Sequence, residues 1–261
     1  MPQLTIDQRL RDVQRRLGVR ADGILGPKTL SALERMLDSH LGPAPVEANL
    51  TVSRGSLDAL VRFEISSFAH YERKLSNPIW PGAQSGVTIG IGYDLGHTSA
   101  ARVERDWRGR IPDADLDRLL TTVGFTGVAA RALVPGVADI QVPLAPAREV
   151  FFTATLPHHA NITRRVYPGI EALPADAQGA LLSLVFNRGG SMRNHDRRRE
   201  MRDLRPLVAA GDLAGIAVQI RSMKRLWDPQ VLPGLHRRRD READLVVGAV
   251  RAYSAEELVG V

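Results

Sequence analysis

The stretch that most constrains the fold of this chain is SGVTIGIGYDLGH, at residues 85–97. From Val87 to Tyr93, β-branched and aromatic residues alternate with glycines, which favours a strand over a helix and predicts a β-hairpin. Glycines in a strand also leave space for a ligand to approach the backbone. A hairpin does not itself need the carboxylate of Asp94 or the imidazole of His97, so these two side chains are candidates for chemistry.

Upstream of the hairpin, residues 53–68 have the spacing of an amphipathic helix. Its apolar stripe is formed by Leu57, Leu60, Val61 and Phe68. Glu64 lies on this stripe, where a carboxylate is costly unless it is paired or protonated. Burial that keeps a carboxyl group protonated near neutral pH produces a general acid. Two interpretations stay open: Glu64 is a catalytic acid, or the helix is rotated so that Glu64 pairs with an arginine such as Arg62 or Arg73.

The composition is that of an ordinary globular chain, with 261 residues and no cysteine. The lack of cysteine excludes disulfides, thiol catalysis and zinc–thiolate sites. No apolar run reaches the roughly 18 residues of a membrane-spanning helix, and we expect no secretory signal because the N-terminus lacks an apolar core. The net charge is +6, and residues 193–241 carry 13 basic and 6 acidic residues. Such a segment is expected to attract anionic polymers.

The N-terminal forty residues predict a small helical unit. Thr5 and Gln8 have the spacing of a capping box at the start of a first helix, and Gly18 ends that helix. The glycine-rich segment ADGILGP predicts a turn before a second helix. Residues 39–50 contain two prolines and a glycine without any periodicity, which indicates a linker to the rest of the chain.

Within this unit, VQRRLGVRADGILGPKTLSAL resembles the peptidoglycan-binding repeat found at the ends of many cell-wall hydrolases. The resemblance covers residues 6–38. It implies a shallow groove for the stem peptide or glycan of the wall, without catalysis. The residues that carry it, and that we expect in the wall-binding module, are Asp22, Gly23, Gly26 and Thr29.

Four motifs of the larger part resemble those of the phage-type lysozymes, in the same order along the chain. They are a helix ending near Glu64, the strand TIGIGY, the segment ALLSLVFNRGG at residues 180–190, and GLHRRRDREADL at residues 234–245, with Trp227 just upstream. The resemblance implies an α+β, mostly helical fold with a small β-hairpin subdomain. We therefore expect a peptidoglycan-binding domain at residues 1–40, a linker at 41–52 and a lysozyme-like catalytic domain at 53–261.

The position of the second catalytic carboxylate departs from the commoner pattern of this family. Those members carry it nine residues after the glutamate, where this chain has Arg73, preceded by Glu72. A branch that includes the bacteriocin pesticin instead places an aspartate six residues after the threonine of the strand, and Thr88 and Asp94 have that spacing. The resemblance therefore implies Glu64, Asp94 and Thr88 as catalytic residues, with Glu72 as a reserve candidate for the second carboxylate.

Several polar and aromatic residues near these motifs are expected to line the substrate site. They are Tyr71, Gly90, Tyr93, His97 and Asn187. Asn187 has a second interpretation as a residue that caps the end of its helix. His97 lacks nearby partners in the sequence for a metal site, so neither a metal nor another cofactor is expected. Arg238 and Glu242 have the i, i+4 spacing of a helical ion pair.

Together the two resemblances imply a modular endolysin: a muramidase that hydrolyses the β-1,4 bond between N-acetylmuramic acid and N-acetylglucosamine. The expected protein is a monomer held in the host cytoplasm until a holin releases it to the periplasmic wall. Its expected partner is peptidoglycan, with anionic envelope polymers attracted by the basic segment and no nucleic acid. Alternatives are a secreted antibacterial effector with the same chemistry, a lytic transglycosylase, and a non-enzymatic basic protein that binds the wall or nucleic acid on a degenerate lysozyme fold.

Overall fold

The computed structural model describes residues 5–24, 29, 32, 50–65 and 68–261 of the chain. These residues form a mostly helical structure with two small antiparallel sheets of two strands each. The predicted mostly helical α+β class is confirmed at this level. The chain divides into two compact units, one made of residues 1–46 and 68–151 and the other of residues 47–67 and 152–261.

The described elements of the first unit are short. Its helices are α1 (Ile6–Arg16), α3 (Phe68–Lys74), α4 (Ala100–Trp107), α5 (Asp113–Leu120), α6 (Gly127–Leu133) and α7 (Leu144–Val150), and its strands are β2 (Thr88–Ile89) and β3 (Tyr93–Asp94). Short 3-10 helices lie at Leu95–His97 and Val134–Gly136. Helix α1 begins with the predicted capping box: the Gln8 N–H donates to Thr5 Oγ1 at 3.2 Å, and the Thr5 N–H donates to Gln8 Oε1 at 2.9 Å.

The second unit is built around one buried helix. Its helices are α2 (Arg54–Ile65), α8 (Leu156–Val166), α9 (Ala175–Arg188), α10 (Arg199–Ala210), α11 (Leu213–Ser222) and α12 (Pro233–Val247), and its strands are β1 (Thr51–Ser53) and β4 (Leu258–Gly260). Short 3-10 helices lie at Ile170–Ala172, Asp196–Arg198, Met223–Leu226 and Ala255–Glu257, and Phe151–Thr155 forms a π-helical turn.

Helix α9 is the centre of this unit because its sequence over residues 179–185 is apolar or small on every side. Residues 175–185 are all buried, and β1, α2, α8 and α12 pack around them. Gly179 allows the close approach of α2, since a Cβ at this position would lie 1.9 Å from Ser56 Oγ. The buried amide of Gln178 accepts the N–H of Thr51 at 2.9 Å, which ties β1 to the same helix.

Strand β1 begins inside the segment predicted as a linker. Residues 41–49 lie outside the described residues, but Leu50 exchanges two backbone hydrogen bonds with Val261, at 3.0 and 2.9 Å. Thr51–Ser53 then pairs antiparallel with Leu258–Gly260. The linker prediction is therefore wrong for residues 50–52, because sequence periodicity cannot detect a short strand whose partner lies about two hundred residues away. The predicted boundaries of the two domains otherwise stay predictions.

The predicted helix at residues 53–68 corresponds to α2, which ends at Ile65. Ser53 accepts the N–H of Ser56 through Oγ at 3.0 Å, as expected for a residue at the start of a helix. In the part of the chain that the structure describes, no helix has both the length and the apolar character needed to cross a membrane.

Candidate functional site

The hairpin formed by β2 and β3 brings two of the predicted catalytic residues together. Thr88 is the cross-strand partner of Asp94, and Ile89 is the partner of Tyr93, so residues 90–92 form a three-residue loop. Side chains directly opposite each other in an antiparallel pair lie on the same face, with Cβ atoms about 4.5–5.5 Å apart. The six-residue spacing between threonine and aspartate is thus the spacing that places both side chains side by side.

Asp94 has a structural role in addition to any chemical one. Its Oδ1 accepts the N–H groups of Gly86, at 2.9 Å, and Gly96, at 2.8 Å, which caps the 3-10 helix Leu95–His97. Gly86 is required for this arrangement, because a Cβ there would lie 2.1 Å from the Gly96 nitrogen and 2.4 Å from Asp94 Oδ1. The Asp94 side chain remains 27% exposed, so its carboxylate is held firmly by one oxygen and still accessible to solvent.

His97 lies next to this carboxylate. Its Nε2 is 3.9 Å from Asp94 Oδ2 and 3.0 Å from the carbonyl oxygen of Gln84, and its side chain is largely exposed. The expected role of His97 in lining the substrate site stays a prediction. Among the described residues, no three histidine, aspartate or glutamate side chains are grouped as a metal site requires.

The Thr88 hydroxyl is only weakly engaged with the protein. Its Oγ1 lies 3.4 Å from the carbonyl oxygen of Gly86, a long distance for a hydroxyl donor. Thr88 is also half-buried on the side of the hairpin that carries Asp94. A hydroxyl with spare hydrogen-bonding capacity beside an accessible carboxylate has the functional groups needed to hold a water molecule.

Tyr71 and Tyr93 were expected at the substrate site, and the structure contradicts this expectation. Tyr71 is fully buried and donates its hydroxyl to the carbonyl of Val142 at 2.9 Å. Tyr93 is 5% exposed, donates to Asp106 Oδ2 at 2.8 Å and contacts the edge of the Trp107 ring. Burial raises the pKa of both hydroxyls well above the ordinary value for tyrosine. Both side chains are therefore core residues, with their polar ends already satisfied.

Gly90 also has a structural explanation. It has φ +57°, a left-handed conformation that favours glycine. A Cβ at this position would lie 2.9 Å from Cη2 of Trp107 and 3.4 Å from Cβ of Ala147. The direction in which a Cβ would project is thus occupied by the Trp107 ring, and a substrate contact at the Gly90 backbone stays a prediction.

We expect Gly90→Ala to lower the free energy of unfolding more than Gly109→Ala. Both glycines have positive φ, but Gly109, at φ +77°, has open space where a Cβ would lie. Forcing a left-handed residue costs about 1–2 kcal/mol, and the added contact with Trp107 should cost about 1–3 kcal/mol more. Urea denaturation of both variants measures the difference. Equal losses in the two variants would show that Trp107 does not restrict position 90.

Glu64, in the second unit, forms an ion pair, but its partner is not one of the arginines that the sequence suggested. Its Oε1 accepts from Arg238 Nη1 at 2.7 Å, and its side chain is 19% exposed. Neither Arg62 nor Arg73 is its recorded partner among the described residues. Arg238 is itself buried and also contacts Glu242, through Nε at 3.1 Å, which confirms the predicted i, i+4 pair.

A buried charge network extends from this ion pair along α12. Glu242 is fully buried and accepts from Ser183 Oγ at 2.7 Å and from Arg239 Nη2 at 2.9 Å. Burial lowers the pKa of Arg239, and the nearby charge of Glu242 opposes that effect. Charges buried this deeply are tolerated only when each has a partner. The network thus fixes Arg238, which in turn fixes the carboxylate of Glu64.

Asn187 lies at the other end of the network and does not cap its helix. Helix α9 ends at Arg188, and the capping position is taken by Gly189, with φ +69°. The Asn187 side chain accepts from Arg239 Nη2 at 3.3 Å, and the residue is exposed. The helix-cap interpretation is therefore wrong, while a polar contact of Asn187 with substrate stays a prediction.

Comparison with known families finds a match that covers part of the chain. A family model described as a domain of unknown function, DUF8812, matches residues 64–169. The matched segment begins at Glu64 and includes Thr88 and Asp94, but it ends before the motifs of α9 and α12. No curated protein matches the chain.

The predicted wall-binding residues stabilise the turn that follows α1. Gln14 is fully buried, and its Nε2 lies 2.9 Å from Asp22 Oδ1, the Ile24 carbonyl oxygen and Thr29 Oγ1. The N–H of Gly23 donates to Gln14 Oε1 at 2.8 Å. Hydrogen bonds from the Ile24 N–H and from Gln14 lower the pKa of Asp22.

Because of these contacts, fewer of the same residues are available to bind a ligand. Thr29 is 3% exposed, so the structure contradicts a direct wall contact by its side chain. Gly23 has φ +77°, and a Cβ there would lie 2.2 Å from Asp7 Oδ1. Gly26 lies outside the described residues. The role of Gln14 in this turn was not predicted. The sequence signal for it is a polar residue next to Val13 on the inner side of an amphipathic helix.

Proposed function

We propose that the chain is a muramidase that cleaves the glycan strands of bacterial peptidoglycan. In this proposal Glu64 protonates the leaving oxygen, Asp94 activates the attacking water and Thr88 holds that water. Hydrolysis with inversion needs one protonated carboxyl group and one ionised carboxylate on opposite sides of the scissile bond. The proposal includes a lysozyme-like fold for the catalytic part.

The observation that carries the proposal is the pairing of Thr88 with Asp94 across the hairpin. A structural reason alone accounts for Asp94 Oδ1, which accepts two backbone N–H groups. That structural reason does not explain why the Thr88 hydroxyl, which has little contact with the protein, lies on the same face as the Asp94 carboxylate. The carboxylate is itself partly exposed. That combination suits the activation of a water molecule by a general base.

The ion pair of Glu64 sets a condition on its proposed role. A general acid must carry a proton, and an adjacent guanidinium opposes protonation of a carboxylate. The acid role therefore requires that a proton reach Glu64 and that its ion pair with Arg238 weaken in the glycan complex. Arg238 would then act as a positioning residue, because its other contacts, to Glu242 and to the Ser183 carbonyl at 3.0 Å, keep it fixed.

The remaining parts of the proposal concern how the enzyme reaches its substrate. The N-terminal residues resemble a peptidoglycan-binding repeat, and we propose that they hold the enzyme on the wall. Release from a host cytoplasm through a holin would bring such an enzyme to the periplasmic wall.

We expect Asp94→Asn to lower the rate of peptidoglycan hydrolysis by about 10²–10⁴-fold. The asparagine retains an oxygen that can accept from Gly86 and Gly96, so the hairpin should stay folded. Glu72→Gln should keep its activity, because Glu72 is exposed at the end of α3. Mass spectrometry of digested sacculi measures the products.

The same digest distinguishes the competing reactions. A hydrolase leaves reducing muramic ends, whereas a lytic transglycosylase leaves anhydro ends that are lighter by one water. If Glu72→Gln is inactive and Asp94→Asn active, then Glu72 is the second carboxylate. If wild-type protein produces only anhydro ends, the hydrolase proposal fails.

A further inference from the structure

A groove on the surface of the second unit lies between helices α2 and α12. It has a volume of about 450 Å³. Its lining residues are Gly55, Asp58, Ala59, Arg62, Phe63, Arg237 and Arg241. Ligand sites typically have volumes of about 300–1,000 Å³, so the groove is large enough for a small molecule or for part of a larger one.

The groove is open because of the residues that α2 presents to it. Gly55 and Ala59 are one turn apart on the helix, and neither has a side chain long enough to fill the space towards α12. Both helices pack against α9, which fixes them as the two walls of the groove. The groove is therefore a consequence of packing within one unit, with small residues along one wall.

The positive charge of the groove comes from three arginines. Arg62, Arg237 and Arg241 are exposed, and no ion pair is recorded for them within the described ranges. Six cations of the basic segment are paired, namely Arg199, Arg221, Lys224, Arg225, Arg238 and Arg239. Other arginines of that segment also lack an ion pair among the residues that the structure describes, so Arg62, Arg237 and Arg241 are distinguished by lining the same groove.

The acid in the groove does not neutralise these arginines. Asp58 lines the same groove, but among the described residues it forms no ion pair with any of them. Three guanidinium groups and one carboxylate leave a net charge of +2 along the lining. Like charges placed around one cavity repel each other, and an anion bound between them removes that repulsion.

We propose that this groove is a binding site for a phosphate group. Arg237 and Arg241 are four residues apart on α12 and thus about 6 Å apart along its axis, and Arg62 approaches from α2. Guanidinium groups bind phosphate oxygens through paired hydrogen bonds. Three guanidinium groups offer more donors than the two oxygens of a carboxylate can use, which favours phosphate. The lining includes none of the proposed catalytic residues, although Phe63 and Arg237 are next in sequence to Glu64 and Arg238. The phosphate site does not depend on the muramidase proposal.

Calorimetric titration of the full-length protein with inorganic phosphate, at constant ionic strength, tests the site. Wild-type protein should bind phosphate saturably, and the double variant Arg237→Gln with Arg241→Gln should bind it at least about tenfold more weakly, because it removes two of the three guanidinium groups of the lining. Asp58→Asn should bind phosphate more tightly, because it removes the one acidic side chain of the lining. Opposite effects of the two changes are difficult to obtain from general loss of structure.

The matched control is the double variant Arg165→Gln with Arg205→Gln. Both residues are exposed in the same unit and away from the groove, and the variant loses the same charge. It should bind phosphate like wild type. The proposal is overturned if phosphate does not saturate the wild-type protein, if the control loses as much affinity as the groove variant, or if acetate binds as tightly as phosphate.

Vesicles distinguish the source of the phosphate group. If the ligand is a lipid headgroup, vesicles that contain phosphatidic acid should sediment wild-type protein but not the groove variant, and phosphatidylcholine vesicles should sediment neither. If the ligand is a soluble phosphate compound, free phosphate should bind and neither kind of vesicle should sediment the protein through the groove. Either result supports a phosphate site.

Discussion

Glu64→Gln should reduce the lysis of cells with permeabilised outer membranes by about 10²–10⁴-fold, the usual effect of removing a general acid. Glutamine is nearly the same size and can still accept a hydrogen bond from Arg238, so the fold should be retained. Arg238 also keeps its contacts with Glu242 and Ser183 in the variant. The rate of turbidity loss, measured at matched protein concentration, gives the effect.

The control for this experiment is Glu256→Gln, which removes the same charge from an exposed position in the same unit. Its lytic rate should equal that of wild type. Circular dichroism and thermal unfolding should show that both variants are folded. Near-normal lysis by a folded Glu64→Gln variant would contradict the catalytic assignment and leave Glu64 as a structural partner of Arg238.

Glu242→Gln should lower the free energy of unfolding by about 3–5 kcal/mol, because it leaves buried cations without their anion. Glu242 is fully buried and contacts both Arg238 and Arg239. Arg238 keeps Glu64 as a partner in the variant, but Arg239 is fully buried and loses its only recorded ion pair in the described part of the chain. Urea denaturation monitored by circular dichroism measures the loss.

Two further variants show whether the loss comes from the unpaired charge. Glu256→Gln should change the free energy of unfolding by less than about 0.5 kcal/mol, as an exposed substitution usually does. Combining Glu242→Leu with Arg239→Met removes both charges, and buried pairs replaced by apolar residues are often neutral in stability. The combined variant should therefore be more stable than Glu242→Gln. A loss below about 1 kcal/mol for Glu242→Gln would contradict the account of the network.

Features that depend on neighbours in the sequence could be predicted from the sequence alone. The capping box of Thr5 and Gln8, the hairpin with its glycines, and the pair of Arg238 with Glu242 are all set by residues within a few positions of each other. The spacing of Thr88 and Asp94 came from the family resemblance, and the three-residue loop that places these positions opposite each other is a finding of the structure. Local hydrogen bonding and side-chain periodicity are sufficient to specify such features.

Other features were decided by contacts between distant parts of the chain. The partner of Glu64 is Arg238, which is 174 residues away, and not a neighbouring arginine. Trp107 occupies the space beside Gly90, and Val142 accepts the hydroxyl of Tyr71, which we expected at the substrate site and which belongs to the core. The groove between α2 and α12 exists because α9 supports both helices. Periodicity indicates which face of an element is buried. Which side chains of other elements contact that face depends on the positions of all the elements at once, so only the packing of the whole structure determines those contacts.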